Sequence, residues 1–373
     1  MMKILFSVLF LTLALQKVFA TELYAQGISP RAAGMGGTYM SFVKGADGLF
    51  YNPAVLSRVE GFDFLIAEVD GAYSKDTMGI YDVYKNSSNT LTAADINKLY
   101  GKNAYVNIGG RSGFAMPYIG FGVYTDNYTL LNFNNPPFPT FNANLISDYG
   151  YILGGAIPLG PQTSMGVAFR RVTRLGGSKD ILVTDLVGSD VKTLLQNTFQ
   201  DKGVGNALDL SFVTTLPVPT TPTISLMWKD VGRTTFTQTE GSTAPPSQGD
   251  NLTLGISTQT ELIGLDWTNA FEYAFITTPN ESISKKLHFG TELSFGLFDV
   301  RAGLNQGYFT YGGGIDIWLL RADIAYYSSE LGTAAGQVRN DRVIYSLTLE
   351  LDLDQTFKMK DGSGKNRRLK QRR

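Results

Sequence analysis

A chemistry that needs histidine has one residue to draw on in this 373-residue chain, His288, and a chemistry that needs cysteine has none. A histidine-based metal cluster is therefore impossible, and a Ser-His-Asp triad would have to use His288. No G-x-S-x-G elbow accompanies it. His288 alternates with Leu287 and Phe289 and shares a face with Glu292, so it reads as a packed polar residue and not as a catalyst. Gly34-Met35-Gly36-Gly37 lacks the strand before and helix after that a phosphate-cradling loop needs, so nucleotide binding is rejected. We expect no catalytic residue, no metal site and no cofactor.

The charges are more informative. In the later part of the chain they recur at alternate positions of apolar stretches: Asp266, Glu272, His288, Glu292, Asp299, Arg301, Asp316, Arg321, Asp323, Glu350 and Asp352. The pattern is clearest over 343–353. Tyr345, Leu347, Leu349, Leu351 and Leu353 fall on one face, and Ser346, Thr348, Glu350 and Asp352 on the other, because successive strand side chains point to opposite sides. A soluble sandwich would turn the apolar face inward. A transmembrane barrel turns it to lipid and lines its lumen with the polar one. A charge facing lipid at mid-depth costs about 2–4 kcal/mol, so these residues are assigned to a lumen. Their expected role is ion pairing that braces the wall and holds an inner segment through Arg31, Lys44 or Arg58. A substrate-conducting role and an open aqueous channel are the alternatives.

The elements that would position them begin with an export signal. Residues 1–20 carry Lys3, an apolar run over 4–15, and small residues at Val18 and Ala20, with cleavage expected after Ala20. That run is short of the about 20 residues a helical span needs. The absence of cysteine after such a signal excludes a disulfide framework. A net charge of −1 gives no reason to expect nucleic acid.

Candidate strands follow at 61–73, 104–112, 115–126, 146–158, 161–174, 205–216, 221–231, 250–259, 262–276, 285–295, 298–305, 307–318, 320–328 and 341–353. Their connections alternate short and long, broken only at Gln306. An even strand number with short periplasmic turns and long outer loops is the layout of an outer-membrane barrel. The chain therefore reads as all-β, a 14-stranded antiparallel transmembrane β-barrel in the outer membrane of a diderm bacterium, with lipid as its surroundings and both termini on the short-turn side. A soluble periplasmic β-protein fits the alternation less well. Helices are expected within 92–100 and 180–199, and a Pro-rich aromatic lobe over 132–141. The tail 358–373 holds eight Lys and Arg and reads as disordered, with Phe357 closing the barrel. The division is thus signal 1–20, inner segment 21–60, barrel 61–357 and basic periplasmic tail.

Residues 31–37, R-A-A-G-M-G-G, followed by 46–54, A-D-G-L-F-Y-N-P-A, resemble the N-terminal plug of FadL-like outer-membrane proteins. That superfamily includes long-chain fatty-acid transporters and the PorV-like proteins of type IX secretion, whose spelling the first motif matches slightly better. The resemblance implies a plug inside the lumen, with Arg31, Gly34, Gly36, Gly37, Asp47, Asn52 and Pro53 as plug or gate residues. It also implies inward transport of a hydrophobic small molecule, with sideways release through the wall. Pro117, Gly120 and Gly122 mark the expected wall opening, since Pro removes a ladder bond and Gly weakens packing. The second expectation is a PorV-like subunit that does not transport but docks a protein partner in the periplasm or at the cell surface, using the lobe and the basic tail.

Overall fold

The computed structural model describes residues 22–87, 90–133, 140–187 and 190–353; the expected signal, Phe357 and the basic tail lie outside them. The strands are β1 (Phe62–Ser74), β2 (Asn103–Met116), β3 (Ile119–Asn132), β4 (Thr140–Pro158), β5 (Thr163–Leu182), β6 (Lys202–Thr215), β7 (Thr223–Lys229), β8 (Phe236–Glu240), β9 (Asn251–Leu262), β10 (Leu265–Tyr273), β11 (Leu287–Ser294), β12 (Phe298–Asn305), β13 (Tyr308–Ile317), β14 (Leu320–Glu330) and β15 (Arg339–Leu353). Each pairs antiparallel with its neighbour. The β5–β6 and β1–β15 ladders close the sheet on itself, and β8 hangs from β6 alone. Fourteen strands therefore form a closed barrel.

The period-two pattern decides which way this sheet faces. Val69, Ile108, Leu153, Val300, Ile324 and Leu347 are exposed, whereas Glu68, Asp126, Arg301, Asp323 and Thr348 are buried. Apolar outside and polar inside is the arrangement of a barrel in lipid. Exposed aromatics stand at both ends of the apolar band, Phe298 and Trp318 by the short turns and Tyr149 and Tyr151 toward the long loops, as membrane interfaces favour. No helix among the described residues is long and apolar enough to cross a membrane; the crossing is made by strands. This is an outer-membrane barrel.

Some boundaries differ from expectation. The second strand does not turn at Gly113-Phe114 but continues to Met116, and Pro117-Tyr118 makes the turn, with Tyr118 at φ 73°. Proline, lacking an N–H, is at home there. In 180–199, β5 runs on to Leu182 before two short helices, Val183–Leu186 and Val191–Thr198. The unanticipated helix Lys75–Asn86 precedes Ala93–Asn97, which has the capping box Thr92/Asp95. The lobe is partly strand: Phe133 and Phe141 stack at 4.8 Å, buried with Leu91, Ile96, Leu186 and Phe199 where the first three long loops meet. Residues 134–139 lie outside the description. The barrel's ends, Phe62 and Leu353, pair on the short-turn side as expected. Glu22, in contrast, lies toward the long loops, where it pairs with Arg342.

Candidate functional site: the inner segment and the lumen above it

Residues 22–59 contact inward-facing side chains of opposite walls. The first half is built around the helix Pro30–Gly34. Ser29 caps it, its Oγ accepting from Ala32 N at 3.2 Å, with Pro30 in the first turn. Gly36 and Gly37 then take φ of 70° and 91°, which glycine adopts without penalty. A Cβ on Gly36 would lie 2.2 Å from Phe289 O and 2.5 Å from Leu304 O. From the other side, one on Gly290 would lie 2.3 Å from Met35 O, and one on Gly303 2.5 Å from Gly36 N. Gly34 stands against Gly312 in the same way, at 3.3 Å, and its carbonyl accepts from Thr310 Oγ1 at 3.0 Å. Backbone meets backbone across β11, β12 and β13, and the glycines of the 31–37 motif exist for that approach.

The close approach delivers Arg31 to the wall. Its Nε and Nη2 donate to both oxygens of Glu292, at 2.9 and 2.6 Å, the bidentate geometry that makes Arg–carboxylate pairs strong. Glu292 also accepts from Arg301 at 2.6 Å, and Arg301 reaches Asp299 at 2.7 Å and Asp323 at 2.5 Å. Arg321 continues the chain to Asp323 at 3.0 Å and Glu350 at 3.4 Å, and approaches Asp47 of the segment at 4.0 Å. Asp47 accepts from Tyr39 at 2.9 Å and lies 3.8 Å from Arg111, itself 2.8 Å from Glu68. Glu272 accepts the backbone N–H of Tyr39 and Met40, both at 2.8 Å. Of the three cations expected to hold the segment, only Arg31 does so by ion pairing. Arg58 hydrogen-bonds Thr215 Oγ1 at 3.1 Å, and Lys44 is exposed.

The second half, 45–58, docks on the facing wall with apolar groups. Asn52 caps the turn Pro53–Arg58, accepting from Ala54 N at 3.2 Å and donating to Met40 O. Leu49 and Leu56 are buried with Ala115, Ile152, Ala156 and Ala168. Here too the wall is glycine. A Cβ on Gly154 would meet Leu49 at 2.6 Å, one on Gly122 would meet Phe50 at 2.8 Å, and one on Gly166 would meet Ala54 N at 2.2 Å. The expected wall opening at Pro117, Gly120 and Gly122 is absent from the described ladders. Gly120 and Gly122 pair with Ala115 and Gly113 on one side and with Gly154 and Ile152 on the other. These glycines make room for Leu49, Leu56 and Phe50, and Pro117 is a turn residue.

His288 Nδ1 lies 2.8 Å from Gly36 O, so it contributes to docking, as a packed polar residue would. Asp316 stands opposite Arg321 in the β13–β14 register, and Asp266 is half-buried near the short turns. The earlier strands hold inward charged residues that the sequence reading passed over. Besides Glu68 and Arg111, Arg174 pairs with Asp148 at 2.6 Å and Arg170 with Asp209 and Asp230 at 2.8 and 3.0 Å. The alternation applied to the later strands would have found them.

Above the segment, toward the long loops, is a cavity of about 1400 Å³. Tyr24, Tyr105, Tyr128, Leu130, Ile146 and Phe275 give its wall apolar and aromatic surface, and Met40 and Tyr51 of the segment belong to its floor. Beside it the seventh strand is interrupted. β7 pairs with β9 as far as Lys229↔Asn251, and β8 pairs only with β6. The bridge Thr234↔Gln248 alone spans the intervening stretch.

No protein-family model matches the sequence, and no curated protein matches it. Solved structures do. The CymD monoaromatic hydrocarbon channel is similar over 88% of this chain and 98% of its own, with a TM-score of 0.54 and 12% identity. The P. putida toluene transporter TodX is similar over 88% and 99%, at 0.50 and 13%. The fold is that of these hydrocarbon-channel barrels. At such identities the likeness is one of architecture. What the barrel can do is read from its own lumen.

Proposed function

We propose that this barrel carries small hydrophobic compounds, fatty-acid-like or aromatic, inward across the outer membrane. They occupy the cavity on the long-loop side and leave when residues 22–59, the plug, shift from the wall. The observation that carries this reading is the cavity itself: it is lined in part by aromatic rings and floored by a segment held on both sides. Charged groups such as Asp126, Arg174, Lys229 and Glu272 share the lining with those rings, so the apolar patch is where a hydrophobic guest would rest. The names of the similar channels agree with a hydrophobic cargo. The docking-subunit alternative drew on the aromatic lobe, but its Phe133 and Phe141 are buried against each other. For sideways release, the interruption between Lys229 and Phe236 takes the place of the third strand.

The test exploits a chain without cysteine. Ser57 Oγ donates to Ser164 Oγ at 2.6 Å, so Ser57→Cys with Ser164→Cys can tie the plug to β5 by a disulfide. Uptake of a radiolabelled fatty acid or toluene by intact cells that carry the barrel in their outer membrane should fall to the level of cells lacking it when the pair is oxidised, and return on reduction. Undiminished uptake by the oxidised protein would refute movement of the plug. A second pair, Thr234→Cys with Gln248→Cys, tests the sideways exit in the same assay.

A further inference from the structure

The outer wall carries one charge that the lumen logic does not absorb. On β5 the outward residues rise through Met165, Val167 and Phe169, all exposed, to Arg171. Other outward cations of the strands hold carboxylates: Lys202 with Glu240 at 2.8 Å and Arg339 with Asp341 at 2.5 Å. Arg171 has none within 4.0 Å among the described residues. Its Nη1 donates to Asn206 Oδ1 at 2.8 Å, and the rest of its fork faces outward. A second exposed arginine stands nearby. Between β7 and β8 the chain bulges, Val231 N donating to Leu208 O at 2.8 Å and Phe236 pairing with Gly205. Arg233, exposed and at φ 71°, therefore lies across β6 from Arg171, about two strand spacings or roughly 10 Å away.

The level of this pair identifies what it meets. Arg171 is directly opposite Tyr151, and Tyr149 opposite Thr173 one row above, so the arginine stands in the aromatic girdle that marks a membrane interface. The apolar band lies below it, on the short-turn side. The long-loop side of such a barrel faces outward from the cell, so this is the headgroup level of the outer leaflet. A guanidinium fork fits phosphate oxygens in pairs. We propose that Arg171, Asn206 and Arg233 form a site on the outer wall for the phosphate of a phosphorylated glycolipid of the outer leaflet. Arg171 binds the phosphate directly, Asn206 fixes its fork, and Arg233 closes on the same group from the bulge. The proposal rests on the barrel's place in the outer membrane and not on the transport reading.

The experiment is native mass spectrometry of the full processed protein in detergent, titrated with diphosphorylated lipid A or with its dephosphorylated form. Wild type should retain one phosphorylated lipid and release the dephosphorylated one at the same detergent energy. Arg171→Gln with Arg233→Gln should weaken retention at least tenfold, and Arg171→Lys should restore part of it. Circular dichroism and heat-dependent gel mobility confirm that each variant remains a barrel. Equal retention of both lipids by wild type, or undiminished retention by the double variant, would overturn the proposal. Uptake of toluene by the single variant Arg171→Gln, which lies outside the 229–236 interruption, should match wild type, which keeps this result independent of the transport reading.

Discussion

The two halves of the inner segment are bound to opposite walls by different physics. Residues 30–40 meet β11–β14 through backbone contact at glycines, and through a buried arginine shared among carboxylates. Beyond Asp47, residues 48–58 meet β2–β5 through Leu49, Leu56 and Phe50 set into glycine recesses. The apolar half slides or loosens by degrees, because hydrophobic contact is non-directional. The charged half is held or released as a unit, since a buried ion pair missing one member is strongly unfavourable. The contrast makes the Arg31 side the latch of the segment and the Leu49–Leu56 side its hinge, in the sense of how each contact would be lost.

The largest test of that contrast is Gly36→Val. Its side chain would overlap two carbonyl oxygens of the wall, relieved only by moving backbone. The expected loss is about 3–5 kcal/mol for the Arg31 pair, added to about 1–3 for a strained residue. Hydrogen exchange should show amides 30–40 unprotected while the strands remain protected. Next, Glu292→Gln leaves Arg31 and Arg301 each short of a charge, for about 3–5 kcal/mol. Proteolytic cleavage within residues 27–40 in a native barrel measures it. On the other wall, Leu56→Ala should cost about 2–5 kcal/mol and expose 48–58 while leaving 30–37 protected. If 30–37 opens equally, the two halves are one cooperative unit and the latch-and-hinge distinction fails. The smallest effect lies outside both halves, at Asp95 in the first long loop. Its bonds to Thr92, then Lys98, pull the carboxyl down to about 2. A depressed value means that the cap is fully present above the ordinary carboxylate range of about 3.9 and is lost as pH falls through about 2. Asp95→Asn should abolish that acid dependence in protection of 93–97.

The barrel was legible because β15 and its neighbours alternate apolar and charged residues without interruption, so strand number and lumen face followed from period two. The early strands were less legible for a specific reason. In β2, N-A-Y-V-N-I-G-G-R-S-G-F-A-M, glycines thin out the apolar face, and the inward Arg111 falls among them. In β3, Gly120 and Gly122 pointed to a wall opening for a related reason. A glycine in a strand reads as weakness, and only the coordinates show that Leu49, Leu56 and Phe50 fill the space beside it. The motif 31–37 was visible in the sequence, but its partner glycines, Gly290, Gly303 and Gly312, are ordinary until a second backbone lies against them.

Asp47 has a position whose meaning concerns closure. It sits between Arg111 of β2 and Arg321 of β14, and those cations hold Glu68 of β1 and Glu350 of β15. The line therefore crosses the seam where first and last strands join. A cylinder is sealed only where those two margins meet. Asp47 thus offers one carboxylate to both lips of the seam, a clasp set inside the wall where the first and last strands join.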